Sequence, residues 1–304
     1  MFLNPRTVSD ELEILRHLNV RMTLPPKEIQ SLSRLEKGFH GELVFDQWLT
    51  NLKVEVIILS DLLFEVQKTK FQIDSLAITQ DRLYLSEVKN FEGDYLYDAE
   101  NDRFFICSGK EITNPLHQLQ RCDTLLRQLL GNLGFQFQIV SLLAFVNPEF
   151  TLYQLPRDLP IVLPTQLNGF IKKINGAPSN LHSRRHRVLA DQLLSSIIKE
   201  SPYPKLFKYE YGQLRKGIYC KMCKSFKLIV RGSVLICNKC NCQERIDQAV
   251  VRSTYEYKLL FPTEKITAKT IKEWCAIIES DWIIRRTLKE TFMARGNGQW
   301  TYYE

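Results

Sequence analysis

Three ionisable residues lie close together in an otherwise apolar stretch: Asp74 in Phe71-Gln72-Ile73-Asp74, then Glu87 and Lys89 in Ser86-Glu87-Val88-Lys89. Residues 71–79 and 83–89 read as strands joined by the polar turn Thr79-Gln80-Asp81-Arg82. A turn centred between Gln80 and Asp81 sets Asp74 directly across from Glu87, with Cβ atoms ~5 Å apart. Glu87 and Lys89 are two residues apart and share that face. Opposed carboxylates repel, so one tends to stay protonated unless a cation joins them. Magnesium suits such a pair, because it takes oxygen ligands from one or two carboxylates, water and a substrate phosphate. A lysine beside it would hold the attacking water or offset charge on a phosphate. The chemistry this points to is phosphodiester hydrolysis. The competing reading of the same residues is an ion pair on a half-exposed hairpin.

A second constellation is Cys220-Lys221-Met222-Cys223 and Cys237-Asn238-Lys239-Cys240, two C-x-x-C knuckles. Two-residue gaps let both thiolates and nearby amides wrap one tetrahedral Zn²⁺, and residues 226–236 read as a hairpin around Gly232. By spacing this resembles a zinc ribbon, with Cys220, Cys223, Cys237 and Cys240 filling the shell of a structural zinc. Cys242 is close enough to replace Cys240, and the sequence leaves that choice open. Lys221, Lys224, Lys227 and Arg231 surround the cluster, with Tyr219 and Phe226 interleaved, as phosphate contacts and base stacking require. Those two aromatics serve equally as ribbon core. Cys107, Cys122 and Cys275 are isolated and expected to be buried.

The elements that must position these groups follow from periodicity. Residues 31–52 form an expected helix, with Leu35, Phe39, Leu43 and Leu49 near helical spacing. Strands are expected at 54–59, 71–79, 83–89, 104–108, 138–146 and 160–163. Asn114-Pro115 opens a helix that runs to about Leu130. Residues 148–180 read as Pro-rich, and 182–200 as a helix broken by Ser201-Pro202-Tyr203-Pro204, where a domain boundary is placed. A β segment over about 216–250 and a helical tail over about 255–295 complete the chain. In the tail, Thr267 and Ser280 are expected N-caps. The second of its two short helices presents Arg285, Arg286 and Lys289, and Gly296 to Tyr303 reads as a wing. That tail resembles a helix-turn-helix or winged-helix module.

The chain carries 41 Lys+Arg against 34 Asp+Glu. Residues 205–304 hold 19 Lys+Arg against 10 Asp+Glu, so the positive excess sits in the last third, an electrostatic footprint for a polyanion. Apolar runs are far short of a membrane span, no export signal is evident, and cytoplasmic localisation is expected. No G-x-x-x-x-G-K-[ST] loop is present, so any NTP-driven motor is expected on another chain.

Four motifs in order carry a resemblance. They are Lys37-Gly38-Phe39-His40-Gly41-Glu42, Gln72-Ile73-Asp74, Glu87-Val88-Lys89-Asn90-Phe91-Glu92-Gly93, and Asn114-Pro115-Leu116-His117-Gln118. The stretch from about 35 to 146 resembles the nuclease-related domain (NERD) family, a branch of the PD-(D/E)xK nuclease superfamily. The resemblance implies an α/β, restriction-endonuclease-like mixed sheet flanked by helices. It implies Mg²⁺ or Mn²⁺ held by Asp74 and Glu87, with Glu42 as a third acid that binds or orients the metal. It also implies Lys89 as the catalytic lysine and Gln118 reaching back to the site. The superfamily's first motif has Pro before Asp, and Asp74 follows Ile here, which removes no ligand. The expected organisation is a nuclease core with an N-terminal extension over 1–204, its motifs within 35–146, then a zinc ribbon over 205–252 and a helical module of helix-turn-helix type over 253–304. The expected partner is nucleic acid, DNA before RNA. The alternative is a non-catalytic nucleic-acid-binding or adaptor protein that keeps the fold, with a protein partner in a DNA-defence or repair system.

Overall fold

Why the acidic strands sit at the centre of a sheet follows from their alternation. In 76–78 and 83–85, Leu76, Ile78, Leu83 and Leu85 face one apolar cluster while Ala77 and Tyr84 face another. A strand buried on both faces in this way must be covered on both. The computed structural model describes residues 1–177, 181, 184–198 and 208–304, and contacts divide the chain into two units. One comprises Met1–Val8 and Ser33–Ser201, the other Ser9–Leu32 and Pro202–Glu304. The expected span of 1–204 for the core and its N-terminal extension is corrected for residues 9–32. They cluster with the second unit, because Ile14, Leu18 and Leu24 share its apolar core. The expected helix ends at His182 and Glu200, and the boundary at Ser201–Pro204, lie outside the described residues.

The chain begins with β1 (Phe2–Asn4), α1 (Asp10–Arg21) and α2 (Pro26–Leu49). The first unit then runs β2 (Ile57–Val66), β3 (Thr69–Ile78), β4 (Arg82–Lys89), β5 (Gly93–Asp98), β6 (Arg103–Ile106), β7 (Glu111–Ile112), α3 (Pro115–Asn132), β8 (Gln138–Phe145), β9 (Phe150–Tyr153), β10 (Ile161–Val162), α4 (Leu167–Asn175) and α5 (Arg184–Ser195). Six strands form a mixed sheet in the order β1-β2-β3-β4-β8-β10. The pairs β2–β3 and β3–β4 are antiparallel, and β1–β2, β4–β8 and β8–β10 are parallel. Leu116, Leu119 and Leu126 of α3 and Leu189 and Leu193 of α5 pack on one face; Phe45 and Leu49 of α2 and Leu167, Ile171 and Ile174 of α4 pack on the other.

A second sheet, in the order β7-β6-β5-β9, goes beyond the strands expected from the sequence. Its β5 and β9 are short, and each carries only two inward side chains, Tyr95 and Tyr97, and Phe150 and Leu152. The Phe145 and Phe150 rings stack at 4.0 Å and join this sheet to the end of β8. Helix α4 lies in the stretch read as Pro-rich; its 4-and-3 spacing of Leu167, Ile171 and Ile174 is the helical signal that was missed. Strand β2 also continues past residue 59. Asp61 at φ 55 interrupts the alternation, so that Ile57 and Leu59, then Leu62, Phe64 and Val66, all reach the same cluster.

The second unit contains α1, β11 (Leu228–Arg231), β12 (Val234–Cys237), β13 (Gln243–Arg245), α6 (Ile246–Leu260), α7 (Ala268–Cys275), α8 (Asp281–Thr291), β14 (Ala294–Arg295) and β15 (Tyr302–Tyr303). Strands β11 to β13 form an antiparallel sheet, with Gly232 at φ 59 in the first turn. Helix α6 starts inside the segment read as β, because Ile246, Ala249, Val250, Tyr257 and Leu260 are buried at helical intervals. Thr267 and Ser280 cap α7 and α8 by accepting from Thr270 N and Ile283 N. Inside the core the Arg21 guanidinium holds Glu256 at 2.6 and 2.8 Å and lies 3.9 Å from the Trp274 ring centre. Cys122 and Cys275 are buried, but Cys107 is exposed just past the end of β6, correcting the expectation for it.

Candidate functional site

The register of β3 and β4 pairs Ser75 with Ser86 and Ile78 with Leu83, as a turn centred between Gln80 and Asp81 requires. Thr79 closes that turn, its N–H and hydroxyl both donating to Arg82 O. The backbone ladder stops at Ser75–Ser86. One step further the Asp74 carboxylate takes over, accepting from Val88 N–H at 2.8 Å. The strands therefore part at the point where Asp74 and Glu87 stand, and both side chains are buried. Lys89 Nζ donates to Glu87 Oε1 at 2.6 Å and to Gln118 Oε1 at 3.1 Å. Gln118 reaches it from the first turns of α3, whose start is fixed by Asn114 accepting from Leu116 N–H.

Glu42 comes from α2, on the face opposite α3. There Arg6, its side chain 2% exposed, donates to Glu42 Oε2 at 2.7 Å, to Asp46 Oδ2 at 3.0 Å and to the Asp74 backbone carbonyl at 2.7 Å. Among the described residues, Glu42, Asp74 and Glu87 do not form a set with donor oxygens all within 4.8 Å of one another. The structure brings Lys89, Glu87 and Gln118 into contact and places Asp74 opposite Glu87. It ties Glu42 to Arg6, near enough to Asp74 and Glu87 for the acids to repel one another.

Electrostatics mark the place. Burial, then the Asp74 charge, pushes Glu87 up to about 7 against the opposing pull of Lys89. Burial, then Asp74, pushes Glu42 up to about 7 against Arg6. Asp74 is also raised, by burial first, with the Val88 N–H and Lys89 opposing and Asp61 adding repulsion. Burial disfavours the Arg6 charge, but Asp46, Glu42 and Asp74 outweigh it and hold that group above its ordinary value. The acids are thus short of positive charge, and an all-oxygen donor set of this kind suits a hard divalent cation. Several displaced pKa values gathered where β3 and β4 part mark a candidate functional site.

Arg6, Asp46 and Asp61 were not found from the sequence. Asp61 left one signal, an acid within the apolar run Ile57–Val66. Gly41 shows why the α2 motif needs a small residue: an added Cβ would lie 2.5 Å from Asn90 Cβ and 3.3 Å from Val146, whereas one at Gly38 would meet nothing. The residues just after Lys89 therefore lie against α2 at Gly41.

In the second unit, Cys220, Cys223, Cys237 and Cys240 have sulfur atoms all within 4.8 Å of one another, a set that could hold a zinc ion. Cys242 stands outside it. Backbone amides already serve the cluster: Lys239 N–H points at Cys237 Sγ at 3.4 Å. Burial opposes ionisation of Cys220, yet the amides of Cys223 and Met222 bring it down to about 6. Lys221, Lys224, Lys227, Arg231, Arg285, Arg286 and Lys289 stand at the surface, none of them buried. Tyr219 is buried, with its hydroxyl 2.6 Å from His17 Nδ1, so it belongs to the core and offers no face for stacking. No helix among the described residues is long and apolar enough to cross a membrane.

Residues 37–146 match the family model described as nuclease-related domain. No curated protein and no solved structure matches the chain.

Proposed function

We propose that the chain, which carries a nuclease-related domain over residues 37–146, is a metal-dependent nuclease that hydrolyses phosphodiester bonds, in DNA before RNA. The observation that carries the reading is the parting of β3 and β4 at two opposed, buried carboxylates with Lys89 beside them. Asp74 and Glu87 are the residues proposed to hold Mg²⁺ or Mn²⁺. When bound, such an ion polarises the scissile phosphate and eases deprotonation of the attacking water. Val88 N–H fixes the Asp74 carboxylate. Gln118 and Glu87 hold Lys89 Nζ in place to stabilise charge developing on the phosphate. Glu42 orients the site through Arg6, whose guanidinium pins the Asp74 backbone. The four-cysteine cluster holds a structural zinc, and the exposed cations of the second unit supply salt-sensitive, sequence-independent affinity for the phosphate backbone.

The test is cleavage of linear, circular and single-stranded DNA with and without Mg²⁺, comparing the natural chain with Asp74→Ala and Lys89→Ala. Losses of roughly 100-fold or more in both variants are expected. A second reading, a nucleic-acid-binding scaffold without catalysis, draws on the 2.6 Å bridge that already engages Lys89 with Glu87. Binding without cleavage by all three chains, with or without Mg²⁺, would establish it.

A further inference from the structure

Helix α8 turns Ile284, Thr287 and Leu288 inward, and this leaves Trp282, Arg285, Arg286 and Lys289 in solvent at i, i+3, i+4 and i+7. Trp282 is 64% exposed, and a tryptophan so placed contributes little to folding. Arg286 lies 4.5 Å from its ring centre, which orients the indole while most of it stays in water. A second tryptophan, Trp300, is 78% exposed in the short turn between β14 and β15. That turn is specified closely. Gly296 and Gly298 take φ 75 and 60, and a Cβ on Gly296 would lie 2.7 Å from the Trp300 carbonyl, so only glycine serves there. Tyr303 N–H then donates to Ile266 O and ties the returning strand to the residues before α7.

We propose that α8 and the β14–β15 turn each bind unpaired nucleotides, with Trp282 and Trp300 stacking on bases and Arg285, Arg286 and Lys289 of α8 holding phosphates. The inference rests on the nucleic-acid reading above and narrows it to single strands. Within a duplex the base faces are stacked on one another, so an indole finds no partner there, whereas a single strand offers every base face. Three cations on the helix face that carries Trp282, in the part of the chain that carries the positive excess, favour a polyanion over an apolar protein surface.

The experiment uses the full chain in an Asp74→Ala background without added divalent metal, so that cleavage does not interfere. Fluorescence anisotropy is measured with a labelled oligothymidylate of about 20 nucleotides, enough to span one stacking platform, and with a blunt duplex of about 30 base pairs. Trp282→Ala and Trp300→Ala should each weaken single-strand binding roughly 5- to 100-fold and duplex binding by less than about 2-fold. Trp282→Phe should keep most of the affinity, and a double Arg285→Gln, Arg286→Gln change should weaken both ligands and flatten the salt dependence. Single-strand affinity unchanged in the tryptophan variants, or an equal loss on both ligands, overturns the proposal, as does a parent chain that binds neither. Since cleavage by the natural chain is scored separately, the nuclease reading can stand while this one fails.

Discussion

Replacing Glu87 by Gln should stabilise the metal-free first unit at alkaline pH, although it removes a charged group from a candidate site. Glu87 is raised from 4.5 to about 7, with burial the largest cause and Asp74 the next. A carboxylate whose pKa is higher folded than unfolded contributes stability below about pH 4.5, and that contribution is lost as pH rises through about 7. One pKa unit is about 1.4 kcal/mol, so full ionisation of Glu87 costs the folded state about 3 kcal/mol, an order-of-magnitude figure because Asp74 shares the proton balance. Gln imitates the protonated form. In urea denaturation followed at β3 and β4 by hydrogen-exchange mass spectrometry, Glu87→Gln should exceed the natural chain by about 1–3 kcal/mol at about pH 8 and match it at about pH 4. Added Mg²⁺ should reverse the order at the higher pH, because ligand binding stabilises only the chain that retains both carboxylates. A variant that loses ground to the natural chain as pH rises would refute the claim that burial and repulsion outweigh the Lys89 bridge.

Three further outcomes are expected. Gly41→Ala should cost about 1–3 kcal/mol by thermal melting, since its Cβ would press on Asn90 Cβ at 2.5 Å, while Gly38→Ala should gain about 0.5–1 kcal/mol. Cys223→Ser should lose the zinc measured by elemental analysis, and Cys242→Ser should retain it, since only the former lies in the four-cysteine set. Arg6→Leu should destabilise the first unit by about 3–5 kcal/mol at about pH 8 by leaving Glu42 and Asp46 without their partner. The loss should shrink on acidification below about 7 as Glu42 takes up a proton.

What the sequence disclosed depended on how local each signal was. The β3–β4 register needs only one turn and a period of two, and Asn114 before Pro115 announces its helix wherever the helix packs. The paired Cys knuckles are equally local. Arg6 meets Asp74 across 68 residues, and no periodicity links them. Asp46 is one helical turn from Glu42, a relation that signifies little until Arg6 is seen between them. The face change at Asp61 was hidden because strand patterns presume an unbroken alternation. Strand β9 pairs with β5 across the whole of α3 and β8, so Phe150 and Leu152 had no local partner to reveal them. The third acid shows the limit of inference from resemblance. The motif placed Glu42 near the site, but its hydrogen-bond partner had to come from the structure.

Helix α1 has a consequence for biosynthesis. Ile14 and Leu18 belong to the core around Trp274, and Arg21 finds Glu256 only 235 residues later. At about 5–20 residues per second, a ribosome needs roughly 10–50 s to deliver that partner. Throughout that interval the apolar side of α1 lacks the residues that cover it in the folded unit. A fragment beginning at residue 205 would meet the reverse problem, since its interior would lack the helix that closes it.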